Sequence, residues 1–363
     1  GLSIGGAVIE ITPPDGAIQN SSLEVRNGSA EGTIKLSSLF LWDPNSPSLY
    51  DVVLRLCRKG DFLDTLRGYL GMRKIDFELT NESHAPTALR LNGVARYLRG
   101  ALYQSYYPDG VYTASGVDVL AKDILRAKEF GFNFLRIHIK VDDPMLLYFA
   151  DKLGILIMAD FPNFGEGGDT ALGRKRFETM MRQTIERDFN HPSIIAWCLF
   201  NETWGFGGQG SFVDALATPN REGLASPAAG ISADNPTTST AKPQRRPPTV
   251  LPGMIAPQMW VQNMWELAKR LDSTRLVEDM SVCHWEHLEY YQHCDTDINS
   301  WHFYIKDYVK AKAHIQNIVN STFVGSRFNY VPGFLHKGQP LINSEYGGIG
   351  ALDGDCDVSW SFK

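Results

Sequence analysis

A buried run that ends in a carboxylate constrains this chain more than any other stretch of its sequence. Residues 196–205 read AWCLFNETWG, so that apolar side chains are followed at once by Asn201 and Glu202. Such a run predicts a strand buried on both faces, and α/β barrels place their catalytic groups at the ends of such strands. The fold and the function therefore depend on whether the rest of the chain supplies a barrel and a partner for Glu202.

The part of the chain that begins near residue 85 alternates between strand-like and helix-like segments. Alternation of this kind over about 250 residues is typical of parallel βα units, and the leading α/β form is a (β/α)8 TIM barrel. A doubly wound sheet is the structural alternative, but no Gly-rich phosphate loop follows the first strand. The seven predicted strands lie near residues 98–103, 133–138, 155–159, 193–200, 275–279, 297–302 and 340–344.

Two segments depart from this alternation. Residues 1–80 consist of short apolar runs between Gly, Asn and Pro turns, which predicts part of a β-sandwich. Residues 206–256 are rich in Gly, Pro, Ser, Thr and Ala, and are predicted to be a flexible insertion at the barrel rim. The remainder of residues 85–363 forms the predicted barrel, in which no eighth strand is found. We therefore expect the sequence to be a piece of a longer polypeptide.

Composition argues against several classes of function. The net charge is 35 − 41 = −6 with both signs mixed, so no basic face for nucleic acid is expected. No run of about twenty apolar residues predicts a membrane segment. The five cysteines fit no disulfide framework, and the Cys and His residues between 283 and 294 fit no usual zinc spacing, so no metal site is expected. Cellular location and oligomeric state are not indicated.

Glu345 is the candidate partner of Glu202. It follows the seventh predicted strand, and the ends of the fourth and seventh strands face each other across a barrel mouth. Hydrolysis of a glycosidic bond needs two facing carboxyl groups, one to protonate the leaving oxygen and one to attack the sugar or activate water. Their separation is about 5–5.5 Å in retaining enzymes and about 6.5–9.5 Å in inverting ones.

Six motifs, taken in their order along the chain, resemble the catalytic barrel of glycoside hydrolase family 2, which includes β-galactosidases, β-glucuronidases and β-mannosidases. They are NGVARYLRGALYQSYYPDG, LRIHIK, ADFPN, HPSIIAWCLFNETWG, DINSWHFY and LINSEYGG. The resemblance covers about residues 85–360, and residues 40–78 resemble the end of the family's immunoglobulin-like domain. It implies a retaining β-glycosidase that hydrolyses terminal β-linked sugars through a glycosyl-enzyme intermediate and needs no cofactor.

The resemblance also implies roles at the matching positions. Glu202 would be the general acid/base, Glu345 the nucleophile, and Asn201 the group that binds the sugar 2-hydroxyl. Strict strand alternation cannot turn both Asn201 and Glu202 inward, so an irregular backbone is expected there. The other positions expected to contact the sugar or to support the site are Arg136, His138, Asp160, His302, Tyr304, Trp301 and Trp204.

Several of these positions have a second interpretation. Arg136 could form a structural salt bridge at the barrel rim, and His138 and His302 could be neutral packing residues. Trp301 could belong to the core, and Asp160 could cap the loop that follows its strand. At the level of function, the alternatives are a non-catalytic carbohydrate-binding remnant and an endo-acting glycan hydrolase.

Overall fold

The computed structural model describes most of the chain outside the predicted insertion. The described residues are 5–77, 87–163, 170–203, 256–282, 284–285, 288–289, 292–305 and 307–347. Trp204 and the predicted insertion lie outside them, except that residue 256 is the first residue of a helix. No helix in the described ranges is long and apolar enough to cross a membrane.

The N-terminal part is made of antiparallel strands, as its turn-separated apolar runs predict. Four strands pair in the order β2-β1-β3-β4, and three short ones pair in the order β5-β6-β7. Asn92 and Gly93 join β6 to β7 with positive φ angles of 55° and 79°, the conformation of a two-residue hairpin turn. The strands are β1 (Gly6–Thr12), β2 (Gln19–Glu24), β3 (Tyr50–Arg58), β4 (Asp61–Leu70), β5 (Ile75–Phe77), β6 (Leu89–Leu91) and β7 (Val94–Ala95).

All seven predicted barrel strands are present, and their bounds differ from the predicted ones by at most two residues. Five form a parallel sheet in the order β12-β11-β10-β9-β8, and two more, β15 and β16, pair in parallel. Between these groups lies a short hairpin, β13 (His284–Trp285) and β14 (Leu288–Glu289). The barrel strands are β8 (Gly100–Tyr103), β9 (Phe134–Ile137), β10 (Leu156–Asp160), β11 (Ile194–Cys198), β12 (Leu276–Glu278), β15 (Asn299–Phe303) and β16 (Leu341–Tyr346).

Helices connect most of these strands and pack on the outside of the sheet. The third helix buries Phe177, Met181, Thr184 and Asp188. The second helix begins after Asp143, whose carboxylate caps it. The helices are α1 (Val117–Glu129), α2 (Pro144–Leu153), α3 (Ala171–Asp188), α4 (Ala256–Leu271) and α5 (Tyr308–Ser321).

Alternation along the strands separates two of the apolar clusters of the core. Leu135, Ile157, Trp197 and Val277 pack against the helices. Their strand neighbours point the other way and fill the lower half of the barrel, because successive side chains of a strand face opposite sides. This interior cluster contains Phe134, Leu156, Met158, Ala196, Cys198, Leu276 and Ile298.

Trp42, from the N-terminal part, closes the lower end of the barrel. Its side chain is fully buried in the interior cluster beside Leu89 and Leu91. The indole Nε1–H donates to the carbonyl oxygen of Asp151 at 2.8 Å. The N-terminal part therefore contributes directly to the core that supports the barrel.

We predict that Trp42→Ala lowers the free energy of unfolding by about 3–5 kcal/mol, because it empties the largest site in this interior cluster. Urea unfolding followed by circular dichroism measures the change. Tyr97→Ala is the matched control, because Tyr97 is 81% exposed, and it should change stability by less than about 0.5 kcal/mol. Equal losses for the two variants would contradict the role assigned to Trp42.

Candidate active site

Polar side chains from five strands meet where the barrel strands end. On β9, Leu135 and Ile137 face the helices, so Arg136 and His138 face the interior, as the alternating pattern predicts. The other candidates lie at or just after the ends of β10 and β11, or on and after the last two barrel strands, β15 and β16. They are Asp160 of β10, Asn201 and Glu202 after β11, His302 and Tyr304 on and after β15, and Glu345 of β16.

The Arg136 guanidinium is the hub of this group. It forms a bidentate pair with Asp160, with Nε–Oδ1 at 3.0 Å and Nη2–Oδ2 at 2.7 Å. Nη2 also donates to Asn201 Oδ1 at 2.8 Å. Nη1 donates to His302 Nε2 at 3.0 Å and approaches the carbonyl oxygen of Ser344 at 3.4 Å. Each of the five N–H groups of an arginine therefore has an acceptor.

Asp160 makes this buried cation stable. Arg136 is 1% exposed, and burial alone would lower the pKa of its guanidinium. The Asp160 charge outweighs that effect and holds the pKa well above its ordinary value. Asp160 thus has both oxygens in contact with Arg136, and the two side chains form a buried structural pair. The expectation that Asp160 contacts a sugar hydroxyl stays a prediction.

The backbone around Glu202 is irregular, as expected. Strand β11 ends at Cys198, and Asn201 forms an isolated parallel bridge with Ser281. Glu202 follows with φ at 49°, in the left-handed region that non-glycine residues rarely occupy. Its N–H donates to the carbonyl oxygen of Ser281 at 3.1 Å. This break in the strand lets consecutive residues turn toward the same site.

A second irregularity precedes Glu345. In the pairing of β15 with β16, Trp301 lies opposite Asn343 and His302 lies opposite Glu345, which leaves Ser344 as an extra residue. The Ser344 hydroxyl is 3.0 Å from His302 Nε2. The bulge therefore allows Ser344 and Glu345 to contact the same group of side chains.

Tyr304 links the two candidate carboxylates. Its hydroxyl is 2.5 Å from Glu345 Oε1 and 3.3 Å from Glu202 Oε1. One carboxylate oxygen of each glutamate and a ring nitrogen of His302 all lie within 4.8 Å of one another. The two strand ends thus bring together carboxyl groups that are 345 − 202 = 143 positions apart in the sequence.

Arg136 also fixes the tautomer of His302. Because a guanidinium only donates, His302 Nε2 must accept, and the ring proton resides on Nδ1. Nδ1–H then donates to Glu202 Oε1 at 2.8 Å. A metal held by Glu202, His302 and Glu345 would need a lone pair on Nδ1, so this donor set suits hydrogen bonding rather than metal binding.

His138 lies on the other side of Glu345. The Gln104 amide contacts its Nδ1 at 2.8 Å, and its Nε2 is 3.5 Å from Glu345 Oε2. Burial lowers the pKa of His138 and outweighs the Asp160 charge, which raises it, so the ring is neutral near pH 7. No donor among the described residues makes a hydrogen bond to Glu345 Oε2, although Arg136 Nη1 is only 3.7 Å away.

Trp301 is not part of this site. It is 5% exposed and packs with Phe303 and Ile318 beneath α5. Its neighbour His302 faces the interior, so alternation turns Trp301 outward. The expectation that Trp301 stacks on a sugar is wrong, while the same expectation for Trp204 lies outside the described residues.

Several contributors were not predicted from the sequence. Ser281 Oγ is 3.1 Å from Arg136 Nη2 and 2.9 Å from Asn201 Oδ1. Ser344 and Gln104 support His302 and His138 in the same way. Serine and glutamine are common in loops and strands, so only the three-dimensional arrangement distinguishes these three.

Two family models match the chain in succession. "Glycosyl hydrolases family 2" matches residues 6–73, and "Glycosyl hydrolases family 2, TIM barrel domain" matches residues 113–223. The second match includes Arg136, Asp160 and Glu202 and ends before His302 and Glu345. The order of the two matches agrees with an immunoglobulin-like region followed by a TIM barrel.

Two curated relatives are similar in sequence to this chain. A putative β-glucuronidase of Formosa agariphila is 30% identical over 207 residues, covering 52% of this chain and 24% of that protein. A β-galactosidase of Psychromonas ingrahamii is 31% identical over 186 residues, with coverages of 49% and 17%. This chain therefore spans about a quarter or less of these relatives' length.

The fold itself is also found in a crystal structure. The β-glucuronidase of Parabacteroides merdae superposes with a TM-score of 0.66 at 17% identity, covering 96% of this chain and 36% of that one. At this identity the likeness shows a common fold alone. It confirms the TIM-barrel interpretation of the alternating strands and helices.

We predict that Asp160→Asn lowers the free energy of unfolding by about 3–5 kcal/mol, because it leaves the buried Arg136 charge without its partner. Guanidinium chloride unfolding measures the change. Asp118→Asn is the matched control, because Asp118 pairs with Lys122 on the exposed surface of α1, and its midpoint should stay close to that of the unmodified protein. A comparable midpoint for Asp160→Asn would contradict the role assigned to Asp160.

Proposed function

Because the chain carries the immunoglobulin-like and TIM-barrel regions of glycosyl hydrolases family 2, we propose that it is a retaining β-glycosidase acting on terminal β-linked sugars. The observation that carries this proposal is the approach of Glu202 and Glu345, whose carboxylate oxygens come within 4.8 Å. So short an approach of the nearest oxygens favours the retaining class, whose carboxyl groups lie about 5–5.5 Å apart, over the inverting class at about 6.5–9.5 Å.

The reaction proceeds in two displacements. Glu345 attacks the anomeric carbon while the bond to the leaving oxygen breaks and Glu202 donates its proton to that oxygen. Glu202, now a carboxylate, then removes a proton from water, whose oxygen attacks the anomeric carbon and displaces Glu345. The sugar is released with the configuration it had, and Glu202 is protonated again.

The surroundings of Glu345 favour Oε2 as the attacking oxygen. Oε1 is held by the Tyr304 hydroxyl at 2.5 Å. Oε2 lacks a hydrogen-bond donor among the described residues, so its lone pairs are available. Arg136 Nη1 at 3.7 Å and the His138 ring at 3.5 Å stabilise its charge without occupying it.

His302 and Tyr304 support the change of role of Glu202. The His302 Nδ1–H donates to Glu202 Oε1, and this hydrogen bond strengthens when Glu202 becomes a carboxylate. Tyr304 lies between the two glutamates, so its oxygen is near Glu202 whichever glutamate receives its hydroxyl proton. Both side chains thus act on the proton transfer.

Asn201 is oriented for recognition of the sugar 2-hydroxyl. Its Oδ1 accepts from Arg136 Nη2 at 2.8 Å and from Ser281 Oγ at 2.9 Å. These contacts fix which end of the amide faces Arg136 and leave the NH₂ group as a donor. A donor to the 2-hydroxyl supplies binding energy that increases in the transition state.

We predict that the protein hydrolyses at least one member of a panel of aryl β-glycosides that includes the β-glucuronide and the β-galactoside. These two are chosen because the relatives bear those activities in their names. Proton NMR of the first product formed should show the β-anomer. Appearance of the α-anomer would contradict the retaining mechanism, and absence of any turnover would contradict the glycosidase proposal.

Glu345→Gln should lower kcat by at least about 10⁴-fold, because it removes the nucleophile. A 2-fluoro aryl glycoside of the accepted sugar should trap the intermediate in the unmodified protein, and peptide mass spectrometry should locate the label on Glu345. Glu266→Gln, at a half-exposed position on α4, provides a control for the loss of one negative charge elsewhere. A label on another residue would refute the nucleophile assignment.

Glu202→Ala should slow substrates with poor leaving groups by about 10²–10⁴-fold, because those leaving groups need a proton donor. For substrates with activated leaving groups, such as dinitrophenyl glycosides, the rate of the first displacement should fall much less. The measurement is kcat/KM across a series of leaving groups of graded pKa. Equal losses across the series would argue against the acid/base role.

A further inference from the structure

Glu278 is a buried carboxyl group that the two-step reaction does not use. In the register of three neighbouring strands, Asp160 lies opposite Cys198 and Cys198 lies opposite Glu278. These three side chains are therefore at the same height in the barrel. Glu278 follows Val277, which faces the helices, so Glu278 faces the interior, where it is 0% exposed.

Neither carboxyl oxygen of Glu278 makes a hydrogen bond of good geometry with the described residues, although the Ser300 hydroxyl and the Cys198 thiol lie near it. Arg136 is close enough to act on Glu278 electrostatically, but its N–H groups already have acceptors in Asp160, Asn201, His302 and Ser344. An ionised carboxylate that is buried without a cation of its own would be far more costly than a neutral acid.

The charged groups facing Glu278 are themselves paired. Arg136 of β9 binds Asp160 of β10, and His293, before β15, binds Asp279 at 2.7 Å. The remaining groups that act on Glu278 are the Cys198 thiol of β11 and the Ser300 hydroxyl of β15. Burial raises the pKa of Glu278, and the opposing charges of Arg136 and His293 do not cancel this effect.

We propose that Glu278 is a positioning residue: a neutral carboxylic acid beside Arg136 that leaves the guanidinium charge to Asp160 and Glu345. If Glu278 ionised, a third carboxylate would compete for Arg136 and weaken its attraction for Glu345. The kinetic part of this proposal rests on the proposed glycosidase function. The neutral state of Glu278 can be tested without activity.

The first test is the pH dependence of stability. Between the ordinary pKa of an exposed glutamate and the raised pKa of Glu278, the unfolded chain releases a proton that the folded protein retains. This group therefore stabilises the fold fully at acidic pH, and its contribution is lost as pH rises through that window. Glu278→Gln mimics the neutral acid and cannot release a proton, so its Tm minus that of the unmodified protein should increase with pH.

Glu266→Gln is the matched control, because Glu266 is half exposed on α4, and its Tm curve should run parallel to that of the unmodified protein. Glu278→Met, which has a similar volume and no ionisable group, replaces the glutamine variant if the latter does not fold. A Tm difference that does not vary with pH would overturn the assignment of a neutral acid.

The second test is the pH profile of kcat/KM on the accepted aryl glycoside. Glu278→Gln should move the alkaline limb to higher pH, because the competing carboxylate can no longer form. A limb that stays in place would overturn the positioning role even if the Tm result supports a neutral acid. Complete absence of turnover at every pH would instead count against the glycosidase function, which separates the two failures.

Discussion

The bidentate pair between Arg136 and Asp160 is the interaction on which the rest of the candidate site depends. A fully buried guanidinium is stable only with a close counter-charge and an acceptor for each N–H group. Asp160 supplies the charge and two of the acceptors. The other acceptors are Asn201, His302 and Ser344. The cation therefore fixes the orientation of the Asn201 amide, the tautomer of His302 and the position of the Ser344 carbonyl.

Both candidate carboxylates occupy irregular backbone because a regular strand cannot present consecutive residues to one face. Glu202 has a left-handed conformation, and Glu345 follows the bulge at Ser344. The left-handed conformation of Glu202 costs about 1–3 kcal/mol and persists because neighbouring contacts determine it. Ser281 provides those contacts at Glu202, since it accepts from the Glu202 N–H and its hydroxyl reaches Asn201. The strain is therefore located where the chemistry requires it.

Local sequence patterns predicted the strands and the two candidate carboxylates. The contacts that each side chain makes could be identified only from the three-dimensional structure. The alternation of strand-like and helix-like segments located the seven barrel strands, and alternation on β9 turned Arg136 inward. Alternation on β15 also predicts that Trp301 faces outward when His302 faces inward. The expectation that Trp301 stacks on a sugar could therefore have been rejected from the sequence. The partner of Asp160 lies 160 − 136 = 24 positions earlier in the sequence, and Ser281 and Glu278 gain importance only through non-local packing. No short pattern encodes such contacts.

The interior of the barrel changes in character from its lower end to its mouth, and this order has a consequence for the chemistry. Trp42 and its apolar neighbours fill the lower end, and Asp160, Cys198 and Glu278 share one level above them. Electrostatic interactions strengthen where water is excluded. The apolar base keeps the dielectric low on the lower side of Arg136, so its attraction for Glu345 acts at 3.7 Å without a hydrogen bond. Packing at the lower end thus contributes to preorganised charge stabilisation at the mouth.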